Sequence, residues 1–163
     1  MKPAPPPVSR PEESQDAAVE VRPETSPALH RNRLIISNEG GLRKEGPTWS
    51  LVETVISGID PGRGNSFCVL EERDGDYVQA LRGFNGYHLE WHEAAPGITG
   101  SFQQYRAGYL GGSEKSFELK KHDHLSQGEF RDLLPVEEVV DAFRAFYNRA
   151  GRPGWLDWRP IDV

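Results

Sequence analysis

SFCVLEERDGDYVQALRGFNGYHLEWH, residues 66–92, divides into three strand-like runs joined by two turns. Ser66–Glu72, Tyr77–Arg82 and Tyr87–His92 are rich in aromatic and β-branched residues, the types that fit a pleated, half-buried surface. Asp74-Gly75 is a hairpin signal between the first two runs, and Phe84-Asn85-Gly86 supplies a turn between the second and third. Connections this short join antiparallel neighbours, because a parallel crossover needs a dozen or more residues. Residues 66–92 therefore predict an antiparallel meander.

Downstream, beyond a loop with Pro96 and two glycines, Phe102–Leu110 and Lys115–Lys121 are expected to form another hairpin through Gly111-Gly112. Then comes an amphipathic helix. Pro135 suits its start, where an amide has no partner to lose. Val136, Val139, Val140, Phe143, Phe146 and Tyr147 recur at three- and four-residue steps. Gly151 and Pro153 stop it, and Trp155 and Trp158 lie almost at the end of the chain. Chain ends normally fray, so two tryptophans there predict an end docked on the body.

Upstream, Thr48 can cap a helix whose Trp49, Val52, Ile56 and Ile59 keep helical spacing, closed by the turn residues Asp60–Asn65. Leu34–Ser37 reads as a first strand, and Asn38–Gly46 as a polar connection. The expected fold class is α+β: an antiparallel sheet of four to five strands, one face covered by two amphipathic helices and the other partly open. Residues 34–163 form the single domain. Residues 1–33 read as a disordered Pro-rich tail. Seven of the thirteen prolines fall in the first thirty residues, with too little apolar surface to offset ordering.

Residues 1–33 carry five basic and five acidic side chains, so the formal charge of −6 belongs to residues 34–163. An acidic body disfavours nucleic acid and anionic membranes and attracts basic partners. No run approaches the twenty apolar residues that cross a bilayer, and the N-terminus lacks the apolar core of a signal peptide. The single cysteine, Cys68, is consistent with a reducing cytoplasm.

His88, Glu90 and His92 alternate along one strand and so share a face, as two imidazoles and a carboxylate suited to zinc or iron. His122-Asp123-His124 adds two more imidazoles beside Lys120 and Lys121. The competing reading makes Tyr87, Leu89 and Trp91 the buried face and leaves the histidines and Glu90 as an ordinary solvated one. That reading is preferred, with no metal and no cofactor. Cys68 alternates with Phe67 and Val69 in an apolar run and reads as a small buried hydrophobe. There is no Gly-x-Ser-x-Gly elbow and no phosphate-binding glycine motif. A small metal-dependent enzyme or sensor built on His88, Glu90 and His92 stands as the alternative to a binding protein, with an interaction domain of another kind beside it.

Trp49-x-x-Val52, Asn65-Ser-Phe67-Cys-Val-Leu70-Glu71, Asp74-Gly-Asp-Tyr77-Val-Gln79-Ala80 and Tyr87-x-Leu89-Glu90 occur in this order. They are followed by Val136-x-x-x-Val140-x-Ala-Phe143, Gly151-Arg-Pro and Trp158. Together they resemble the small immunity proteins of bacterial polymorphic toxin systems, in the group that ends in a helix, a Gly-Arg-Pro-like turn and a tryptophan. The resemblance spans Thr48–Val163. It implies a cytoplasmic, non-enzymatic inhibitor whose partner is a cognate toxin, and the charge of the body calls for a basic one. No binding residue transfers by position, because such proteins share a scaffold and vary the contact face. The aromatic and charged run Tyr87, His88, Glu90, His92 and Glu93 is the expected toxin-binding strand.

Overall fold

The computed structural model describes residues 27–83, 85–95, 100–121 and 124–162. Most of the expected tail, Phe84, Pro96, His122 and Asp123 lie outside them. The architecture is α+β, with one antiparallel sheet and helices packed on one of its faces.

The meander forms as its turns require. Strands β1 (Leu34–Asn38), β2 (Arg43–Glu45), β3 (Phe67–Glu72), β4 (Tyr77–Arg82), β5 (Tyr87–Ala94) and β6 (Phe102–Gly108) join a terminal strand, β9 (Asp157–Ile161). Their order across the sheet is β2-β1-β3-β4-β5-β6-β9. The sheet thus has seven strands where four to five were expected. The additions are the two edges, which are too short or too irregular to show a period: β2 is three exposed residues, and β9 contains Pro160, tolerated at an edge. The Asp74-Gly75 hairpin turns as expected, with Gly75 at φ 102°.

The expected hairpin through Gly111-Gly112 does not form. Strand β7 (Ser116–Lys121) pairs with β8 (His124–Glu129) in a separate two-stranded ribbon, and β6 takes β9 as its outer partner. Strand propensity placed β7 correctly but carries no information about its partner.

Helix α2 (Trp49–Ser57) is capped by Thr48, whose hydroxyl accepts the Leu51 amide. Helix α3 (Val136–Tyr147) follows Pro135. Val52, Val55 and Ile56 of α2 and Val139, Phe143 and Phe146 of α3 pack on one face of the sheet, against Ile36, Leu70, Val78, Ala80, Leu89 and Trp91. Burying a side chain such as Phe143 contributes roughly 1.5–3 kcal/mol. A third helix, α1 (Pro27–Arg31), lies inside the stretch assigned to the tail. Its His30 is buried, with Nδ1 3.1 Å from Glu72 Oε1 and 2.8 Å from Arg149 Nε.

The end of the chain is docked by the Gly-Arg-Pro turn. Gly151 adopts φ 77°. Arg152 then lies 3.6 Å from the centre of the Tyr105 ring and pairs with Glu93 at 3.2 Å. The Pro153 carbonyl accepts the Trp158 indole N–H at 2.8 Å, and Trp158 meets Trp91 edge-on at 5.8 Å. Trp158 is therefore anchored as expected. Trp155 is not: it stays 59% exposed.

Candidate functional site

Register divides the expected toxin-binding strand between two faces of the sheet. Val78 opposes Trp91 and Ala80 opposes Leu89 on the helix side, which takes Tyr87 and Glu93 with it. Gln79 opposes Glu90 and Tyr77 opposes His92 on the other side, which takes His88 as well. Tyr87 is buried beneath Arg82, and Glu93 is held by Arg152 and by the Trp91 indole N–H at 3.0 Å. The five residues do not form one surface.

The second face corrects the solvated-face expectation. His88 is 1% exposed and Glu90 8%. Glu90 sits in the middle of a polar network. Its Oε2 accepts Gln79 Nε2 at 2.5 Å and Gln104 Nε2 at 2.7 Å. Its Oε1 accepts Arg106 Nη2 at 2.7 Å and Nε at 3.2 Å. Tyr77 donates its hydroxyl to Gln104 Oε1 at 3.2 Å. A carboxylate this fully engaged has little left for a metal ion, which argues against the metal-dependent alternative. No group of three potential ligands capable of holding a metal occurs among the described residues.

The neighbouring groups are likewise committed to structure. His92 stacks between Tyr77 (4.5 Å, 6°) and Phe102 (4.8 Å, 19°), with Nδ1 3.0 Å from the Gly75 carbonyl. Burial, then the Arg106 charge, pushes the His88 pKa down to about 4. Burial, then the Glu90 charge, raises that of Tyr77. Cys68 is fully buried on the helix side, and burial pushes its thiol well above the ordinary range, so it packs as the hydrophobe expected and supplies no thiolate. His124 opens β8, while its companions His122 and Asp123 are outside the described residues.

An exposed aromatic and acidic patch lies at the end of β6 and β9, over the first turns of α3. Trp155 donates its indole N–H to Glu138 at 2.5 Å. Tyr109, 38% exposed, and Leu110, 88% exposed, follow directly on β6, and Tyr109 lies near the same carboxylate. Burial, then the Glu138 charge, raises the pKa of Tyr109. Glu137 and Glu138 stand in the first turn of α3, where the helix dipole favours them. Asp141 follows Glu137 at the i,i+4 spacing, where like charges cost a helix a few tenths of a kcal/mol. Glu137 and Asp141 have no cationic partner among the described residues. The signal for this patch was present in Trp155, which was instead expected to be docked.

Comparison with known proteins returned no matching family model, no curated relative and no similar solved structure. Among the described residues no helix is long and apolar enough to cross a membrane.

Proposed function

We propose that this chain is a non-enzymatic immunity protein that binds and neutralises a cognate bacterial toxin in the cytoplasm, by lying over the toxin's active site. The observation that carries the reading is exposed Trp155 hydrogen-bonded to Glu138, with Tyr109 near enough to feel the same carboxylate. Exposed aromatic side chains beside a carboxylate suit the capture of a basic protein. The aromatics supply desolvated anchors, and the charges speed encounter. The formal charge of −6 has the same sign requirement. Glu90, His88 and Cys68 are engaged in packing, so the candidates the sequence offered for metal or nucleophilic chemistry are taken up by the fold.

The sheet then serves as a rigid support, and the contact moves from the length of β5 to the segments that follow β6 and precede β9. Co-expression with the product of the adjacent gene tests this directly. A stable one-to-one complex that suppresses the neighbour's toxicity is the expected result. Trp155→Ala is expected to weaken that complex by about 2 kcal/mol, roughly thirtyfold, as truncation of a central aromatic anchor does. Absence of both complex and protection defeats the reading. A protective complex indifferent to Trp155→Ala and Glu138→Lys moves the interface elsewhere.

A further inference from the structure

A cavity of about 700 Å³ opens between α1, the start of α2 and the end of α3, and none of the residues invoked above for toxin capture lines it. We propose that it is a binding site for a small phosphate-bearing organic anion of mononucleotide size. Its volume lies in the ordinary range for small-molecule sites.

The chemistry of the wall selects the charge. Among the described residues no carboxylate lines it, although the chain as a whole is acidic. Arg31 and Arg144 both border the cavity. Arg31 lies over the Tyr147 ring at 5.4 Å and has no acidic partner among the described residues. Arg144 lies over the Trp49 ring at 4.8 Å, and its nearest carboxylate, Glu53, is 3.8 Å away at the limit of an ion pair. Each guanidinium is a planar fork of donors of the kind that recognises phosphate oxygens.

Trp49 lines the cavity with its ring, while its indole N–H is buried beneath the surface with no acceptor among the described residues. Helix α2 begins at the same wall; its Leu51 and Val52 amides are already bonded to Thr48, which leaves those of Trp49 and Ser50 without an intrahelical partner, a setting that favours an anion. Trp49 and Tyr147 meet edge-on at 5.5 Å, with the Tyr147 hydroxyl tied to the Pro47 carbonyl at 3.0 Å. This fixed aromatic wall supplies the apolar contact for the organic body. Asn148 at the rim offers both a donor and an acceptor.

Isothermal titration of the full chain tests the site with three probes: adenosine monophosphate, adenosine and inorganic phosphate. Adenosine monophosphate is expected to bind saturably with Kd on the order of 0.1–1 mM, phosphate more weakly, and adenosine not detectably. Arg31 and Arg144 are exposed, so the Arg31→Ala and Arg144→Ala variants should both fold. Each is expected to weaken binding at least about tenfold, the loss of one charge-assisted contact. The Trp49 indole resonance, followed by NMR, should shift on titration, a readout independent of heat. No saturable binding to about 10 mM, or binding unchanged in both arginine variants, overturns the proposal. So does adenosine binding as tightly as its monophosphate. None of these outcomes depends on a toxin, so the site and the immunity reading stand or fall separately.

Discussion

Glu90 holds the polar face of the sheet together because four donor contacts from three side chains converge on its two oxygens. Removing it takes from the Arg106 guanidinium, only 13% exposed, the carboxylate that meets both its Nε and its Nη2. Glu90→Ala is therefore expected to cost about 3–5 kcal/mol in urea denaturation. Replacing Glu90 and Arg106 together by leucine should cost clearly less than the single change, because no charge is then stranded. His88 beside this network yields a pH prediction. Its pKa is pushed from 6.5 to about 4. Between those values the unfolded chain takes up a proton that the folded state refuses, so stability falls as pH drops through the window. The loss from about pH 7 to about pH 4.5 amounts to roughly 2–3 kcal/mol at about 1.36 kcal/mol per pKa unit. His88→Gln should lose that much less stability over the same range; equal losses in both proteins would show that His88 titrates normally.

At the level of elements, the sheet's centre was readable because its runs alternate and its turns are short. Its edges were not readable. Strand β9 follows a helix and a proline-containing turn, and only its pairing with β6 makes it a strand. The face assignment failed for a related reason. Alternation placed His88, Glu90 and His92 together correctly, yet which faces of a central strand become buried depends on partners from β4 and β6 and on the segment Phe130–Asp132, all set by tertiary packing. Gly108 shows how tight that packing is. A Cβ there would stand 2.9 Å from both the Arg131 carbonyl oxygen and Asp132 Oδ1. Gly108→Ala should destabilise the protein by about 1–3 kcal/mol, the usual cost of overpacking, measurable as a lowered Tm. An unchanged Tm would mean that the Phe130–Asp132 segment is only loosely seated on β6.

For the molecule as a whole, composition separated the proline-rich N-terminus from the body but placed the boundary at residue 34, beyond the first described helix, Pro27–Arg31. A five-residue helix has no periodicity to detect, and the burial of His30 depends on Glu72 and Arg149, 42 and 119 residues away. Arg149 itself reaches Glu72 because the chain turns at φ 55° just beyond α3, a left-handed conformation common at helix ends. Helix α1 thus ties the chain's entry to both the sheet and the last helix. Two truncations separate the tail from the body. Removing residues 1–26 keeps every described core residue, from His30 and Leu34 onward, and is expected to leave the urea midpoint unchanged. Removing residues 1–33 deletes His30 and exposes Glu72, which keeps Arg149 as its remaining partner. It also removes Arg31 from its place over Tyr147. The loss of one buried charge-assisted contact and its packing is expected to cost about 2–3 kcal/mol. Equal stability of the two truncated proteins would place the edge of the folded body at Leu34 after all and make α1 an attachment that the fold does not need.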